Sequence, residues 1–248
     1  VRNTGFMIGV LLFAILSAPA LFSYPVDAAR PADKKFVYYI YWAGIRAGRA
    51  VLEYTASPEG TVIRTRAESA AFISLFYKVD DRAQSVLYPD GYPASYTLNI
   101  REGTHRRYRI TEFTPRVPGR PRKAIFNNVL DGEVTEFELE KPAHDPLSAF
   151  YSMTVRDIRV GQSVYIDIFD NEKLWNTEVR VLRKEKVRVP AGEFSTIVIK
   201  PLLKSEGIFL RKGEMHIWLT DDDRRIPVMF TSKAKIGGFR VVLVEGDY

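Results

Sequence analysis

From residue 35 onward the apolar positions fall in short β-branched and aromatic runs, many alternating with polar residues and each closed by turn chemistry. That period of two is the mark of half-buried strands. The runs place strands at 35–42, 47–56, 61–70, 80–88, 94–101, 105–114, 123–128, 134–140, 163–169, 176–183, 194–204, 213–220, 225–233 and 239–244. Pro58-Glu59-Gly60, Pro89-Asp90-Gly91 and Pro190-Ala191-Gly192 repeat one turn pattern, and Leu130-Asp131-Gly132 resembles it. Proline presets φ at the first position and glycine two residues on accepts positive φ, which closes a short hairpin.

One segment breaks the pattern. In HDPLSAFYSMTVRD, Asp145 is placed to cap a helix with Pro146 in its first turn. Leu147, Phe150, Tyr151 and Met153 follow at helical spacing. The helix is expected over about 145–157, with a weaker helical turn at 72–77. The expected fold is mainly β: an antiparallel meander forming an open or half barrel, or a curved sheet, with this central helix inside or across its concave side. Two sheet lobes dividing near 141–160 are the alternative.

The hairpin around HIWLTDDDRRIPVMF carries the densest chemistry. With Asp222 and Asp223 at its tip, Trp218 faces Pro227 and Ile217 faces Val228. Met215, Ile217, Leu219, Ile226, Val228 and Phe230 then share a core face, and His216, Trp218, Pro227 and Met229 share the other. Asp221, Asp222 and Asp223 read first as turn residues offset by Arg224 and Arg225. A metal site would need more oxygens and lacks calcium-loop spacing. The apolar second face calls for cover, by simple packing or by a ligand. Trp42, Phe150, Tyr151, His216, Trp218 and Met229 are the candidate ligand-binding residues.

The remaining signals concern location and partners. Residues 1–28 read as a secretory signal: Arg2 precedes an apolar run from Phe6 to Phe22, and Val26-Asp27-Ala28 offers a cleavage site. The run falls short of the roughly 20 residues that a spanning helix needs. Residues 29–248 are expected to be a single exported β-rich domain, with the periplasm as its expected location. With no cysteine among 248 residues, disulfides, thiolate metal sites and a lipid-modified cysteine are excluded. The net charge of +6 matches the excess in 101–123 alone, where eight Lys/Arg meet Glu102 and Glu112. In an exported protein that strip suits anionic lipid headgroups and not nucleic acid, with Arg106, Arg107, Arg109, Arg120 and Arg122 as candidates. A solvated basic hairpin is the plainer alternative.

His144, Asp145 and Ser148 superficially suggest a hydrolase triad, but no G-x-S-x-G elbow is present and Asp145 serves better as a cap. Charges on both faces of the run TEVRVLRKEKVRV argue against an outer-membrane barrel. No cofactor, metal or catalytic residue is indicated.

Four motifs in order carry a resemblance: Tyr41-Trp42-Ala43-Gly44-Ile45-Arg46-Ala47-Gly48, Asp145-Pro146-Leu147-Ser148, Val187-Arg188-Val189-Pro190-Ala191-Gly192-Glu193-Phe194, and the run from Trp218 to Val228. Together they resemble domain of unknown function 3108, a family of exported bacterial proteins. The resemblance implies an exported β-rich domain and transfers no catalytic residue. The expected function is therefore binding of an amphipathic or lipid-like ligand in a concave, aromatic-lined sheet. An envelope assembly module acting through protein contacts is the second expectation, and a hydrolase the third. Oligomeric state is not legible.

Overall fold

The structure, a computed structural model, describes residues 33–57, 60–202, 214–234 and 237–248. The expected signal over 1–28 lies outside them, as do Pro58 and Glu59 of the first expected turn. Residues 31–248 form one compact unit.

Among the described residues the strands are β1 (Lys34–Trp42), β2 (Ile45–Ser57), β3 (Gly60–Ser69), β4 (Asp80–Leu87), β5 (Pro93–Glu102), β6 (His105–Phe113), β7 (Arg122–Asn128), β8 (Glu133–Leu139), β9 (Ser163–Asp170), β10 (Lys173–Val189), β11 (Gly192–Pro201), β12 (Met215–Thr220), β13 (Pro227–Ala234) and β14 (Gly237–Gly246). The helices are α1 (Ala71–Ser74) and α2 (Pro146–Thr154). All fourteen strands join one antiparallel sheet in the order β8-β7-β6-β5-β4-β3-β2-β1-β14-β13-β12-β11-β10-β9. Apart from the β1–β14 pair, every neighbour is the next strand in sequence, as short hairpins dictate. The expected turns at Gly91, Gly132 and Gly192 all place glycine at positive φ.

The charged run after residue 183 also belongs to a strand, so β10 extends to Val189. It lies along β11, pairing Lys184 with Ile197 and Val187 with Phe194. The ladder and its ion pairs, Lys184–Asp221 and Arg188–Glu193, override a weak intrinsic strand preference.

The sheet is rolled but not closed by hydrogen bonds. Its free edges, β8 and β9, are consecutive in sequence and linked through α2. Ile166 and Ile168 of β9 pack with Val179, Ile197 and Ile217 on the concave side. Phe169 points the opposite way and meets Phe113 of β6 and Phe137 of β8, with ring centroids 6.1 and 5.3 Å apart. Phe113 and Phe137 belong to the concave face of their own half, so β9 is tucked inside the curl of β6–β8. The outer edge of β9 is covered as well: His144 donates to the Asp167 carbonyl at 2.8 Å and accepts from the Phe169 amide at 2.8 Å.

Helix α2 is fixed inside the roll by its cap. The Asp145 carboxylate accepts from the Leu147 and Ser148 amides at 2.8 and 3.0 Å and from the Ser85 hydroxyl of β4 at 2.6 Å. The Ser148 hydroxyl completes the capping box by accepting from the Asp145 amide at 2.9 Å. Leu147, Phe150 and Tyr151 then pack against Phe36, Leu87, Val189 and Ile226, which lie toward one end of the roll. Ala149 and Met153 turn toward the β9–β12 cluster. The polar residues that α2 buries are satisfied locally, Ser152 bonding to the Ala149 carbonyl and Thr154 to that of Tyr151.

Candidate functional site

A cavity of about 520 Å³ lies between α2 and the concave face of the sheet. Pro146, Leu147, Ala149, Phe150 and Met153 form its floor. Tyr38, Ile40, Leu52, Ile168, Ile217 and Phe230 stand among its walls. The volume falls within the roughly 300–1,000 Å³ of ordinary ligand sites. Because α2 plugs one end of the roll, the cavity extends toward the other. There Asp170, Trp175, Pro201, Met215 and Phe239 line it at or near the ends of their strands. Trp42 sits on that rim, stacked on Phe239 at 6.3 Å.

Polar groups gather at this end. Asp170 ends β9, before a tight turn in which Asn171 and Glu172 both have positive φ. Burial raises the Asp170 pKa, while the charges of Arg109 and Arg107 on β6 pull it down. Arg109 projects from the concave face, level with Leu98 of β5, and its guanidinium lies 5.6 Å from the Phe126 ring. Burial pushes its pKa down, and its Nε–H finds no hydrogen-bond partner. The Trp175 indole N–H is likewise buried without one. The site thus combines an apolar cavity with two buried donors and one carboxyl at that end.

Of the sequence-selected residues, the structure brings Phe150 to the cavity floor and Trp42 to its rim. Tyr151 faces Tyr54 instead, at 5.2 Å, within the core. His216, Trp218 and Met229 project from the convex face and do not line the cavity. Their hairpin pairs Trp218 with Met229 and Ile217 with Phe230, and a bulge between Trp218 and Leu219 takes up the offset from the expected register. The offset keeps each side chain on its expected face, but the core face is the one that borders the cavity. On the convex side Trp218 is sealed by its indole N–H bond to Glu185 at 2.6 Å. Next to it, burial and the Lys200 charge lower the His216 pKa.

The five arginines do not form one patch. Arg106, Arg107 and Arg109 lie at the mouth end of β6, whereas Arg120 and Arg122 flank the opposite end of the hairpin. Arg122 is buried, donating to the Thr114 and Pro93 carbonyls at 2.7 and 2.8 Å and lying over Tyr88 and Tyr92. It is a structural residue, because β7 carries it to the concave side.

The aspartate cluster at 221–223 forms a hairpin tip. Asp222 accepts from the Thr220 hydroxyl at 2.6 Å and pairs with Arg224. Asp221 pairs with Lys184. His144, Asp145 and Ser148 do not form a relay. The His144 ring stacks on Tyr92, burial lowers its pKa to about 4, and the Ser148 hydroxyl is held in the helix cap. Sequence reading missed Asp170 and Trp175. Asp170 looks like a turn residue, and only the alternation Trp175-x-Thr177-x-Val179 marks a common face.

The model of a family described as "Protein of unknown function (DUF3108)" matches residues 37–244. The chain belongs to this family. No curated protein matches it. Among solved structures, a beta-barrel-like protein of domain of unknown function DUF1849 from Brucella abortus superposes with a TM-score of 0.58 at 14% identity, covering 88% of this chain and 98% of that one. That likeness shows a shared fold. A protein of YmcC-like fold from Bacteroides fragilis gives a TM-score of 0.37 at 11% identity, covering 87% of this chain and 95% of that one.

Proposed function

We propose that this DUF3108 protein is exported to the periplasm and binds an amphipathic, lipid-like ligand without catalysing a reaction. The observation that carries the reading is the apolar cavity between α2 and the concave face of the rolled sheet. An acyl chain running inward gains about 0.8 kcal/mol for each methylene removed from water. Eight to ten methylenes would contribute on the order of 7 kcal/mol, before the costs of association. The polar head stays at the mouth, where Arg107, Arg109 and the Trp175 N–H offer donors to a carboxylate or phosphate. Export is supported by the leader pattern in residues 1–28. No described helix is long and apolar enough to cross a membrane.

Native mass spectrometry and solvent extraction of the chain purified from its envelope fraction test this. The expected result is a bound amphiphile in stoichiometric amount, lost on denaturation. Protein that carries no amphiphile, and takes up none from mixed micelles, refutes the reading. Co-purification of an envelope protein in its place points to an assembly module.

A further inference from the structure

The segment between β3 and β4, Ala-Phe-Ile-Ser-Leu-Phe-Tyr at 71–77, presents its large apolar side chains to solvent. Phe76 is 89% exposed and Leu75 80%, and Phe72 and Tyr77 are each half exposed. Scattered apolar residues on a surface need no explanation, but four on one seven-residue projection do. Ile45, the first residue of β2 at the same end of the roll, is also 57% exposed.

The projection is built rather than loose. The Ser69 and Ser74 hydroxyls bond to each other at 2.7 Å, and the Val79 amide donates to Ser69 Oγ at 2.9 Å. Ser74 also bonds to the Ala70 carbonyl at 3.0 Å, and the Ala70 amide reaches the Ala47 carbonyl at 2.7 Å. On the other flank the Gly103 amide donates to the Lys78 carbonyl at 2.8 Å. The Tyr77 ring lies so close to Gly103 that a Cβ there would stand 2.8 Å from it. The chain therefore holds Leu75 and Phe76 outward at little further entropic cost.

Cations flank the tip. Lys78 is exposed beside it, and Arg101 and Arg106 are exposed on the adjoining β5–β6 hairpin. Arg106 spends its hydrogen bonds on the Gly103 and His105 carbonyls, which leaves its charge unneutralised. The nearby carboxylates offset little of this. Asp80 is held by Arg66 and Arg82, Asp81 accepts from the Arg101 amide at 2.9 Å, and Glu102 is buried, with burial and the neighbouring Asp81 charge raising its pKa to about 7.

The strand directions set the location. β1, β3 and β5 end here and β2, β4 and β6 begin here, and this is the end of the roll at which Asp170, Trp175 and Phe239 line the cavity. A convex apolar tip ringed by cations suits a fluid layer that moulds around it, and aromatic and leucine side chains partition to that depth. A protein partner would have to offer a matching pocket.

We infer that residues 72–77, with Lys78, Arg101 and Arg106, dock the mouth end of the protein onto the surface of an anionic lipid bilayer. This stands on exposed residues and not on occupancy of the cavity, although it would place the proposed lipid site next to its source. The test is co-sedimentation of the protein purified from its envelope fraction with vesicles of phosphatidylcholine, alone and mixed with phosphatidylglycerol. Binding to the mixed vesicles is expected, weakened by salt. The double substitution Leu75→Asn with Phe76→Asn should reduce it by about tenfold or more, with an unchanged melting temperature. Arg101→Gln with Arg106→Gln should reduce binding to the mixed vesicles alone. Failure of the unsubstituted protein to bind, or equal binding by the Leu75/Phe76 variant, overturns the inference, and equal binding to both vesicle types overturns the anionic assignment. Mass spectrometry of the same samples separates the two proposals. Protein that carries lipid but ignores vesicles fails only here, whereas protein that binds vesicles but holds no lipid fails only as a carrier.

Discussion

Asp145 is the anchor of the cavity floor, and replacing it with alanine is a sharp test of the architecture. The side chain is fully buried and accepts three hydrogen bonds, two from the first turn of α2 and one from Ser85 on β4. Losing the helix cap costs about 0.5–2 kcal/mol. Leaving the fully buried Ser85 hydroxyl without its partner adds about 1–3 kcal/mol. Relief from burying the carboxyl, whose pKa burial raises, returns part of that. The net expectation is a loss of about 2–4 kcal/mol, a large share of the roughly 5–15 kcal/mol that holds a typical domain together. Urea unfolding of Asp145→Ala, Ser85→Ala and the double variant, followed by circular dichroism, should give a coupling energy of about 1 kcal/mol or more. Asp145→Asn keeps an acceptor for the two amides and should cost about 1 kcal/mol. The pH dependence has a definite sign. Because the folded-state pKa is raised, the contribution is complete below the unfolded value of about 4 and declines as pH rises through the folded one. The asparagine variant should lack that decline. An Asp145→Ala cost below about 1 kcal/mol, or no coupling to Ser85, would refute the anchoring role.

Other outcomes follow from the same reasoning. Burial and the neighbouring Asp81 charge raise the Glu102 pKa to about 7, so its stabilising contribution is complete below about 4 and fades as pH rises through 7. Melting temperatures between pH 5 and 8 should therefore fall in the unsubstituted protein and stay flatter in Glu102→Gln. Arg122→Met strands the Thr114 and Pro93 carbonyls and removes a cation from between Tyr88 and Tyr92, with an expected cost of about 2–4 kcal/mol in urea unfolding. Ala50→Phe projects into the cavity and should lower lipid retention measured by mass spectrometry, whereas Trp218→Phe on the convex face should leave retention unchanged. Equal retention by these two variants would show that the cavity is not the binding site.

Alternation alone placed most strands correctly, and the D-P-L-S motif located α2, the longer of the two described helices, and its cap. Both rest on contacts between residues close in sequence, where spacing and turn chemistry are decisive. Where the structure separates residues that the sequence groups together, the reason is the same each time. His216, Trp218 and Met229 share a face as expected, yet nothing within their hairpin states whether that face bends inward or outward. Arg106 and Arg122 look like members of one basic strip because they are 16 residues apart in the chain, but an extended strand separates their ends of the hairpin by about 30 Å.

The sequence by itself thus determined the antiparallel order, the turns and the capped helix, because each depends on short-range geometry. Only the tertiary structure decided that β9 tucks inside β6–β8, which surface is concave, and that Asp170 and Trp175 line one end of the cavity. Those outcomes depend on the summed twist of fourteen strands and on where α2 lodges between distant parts of the sheet.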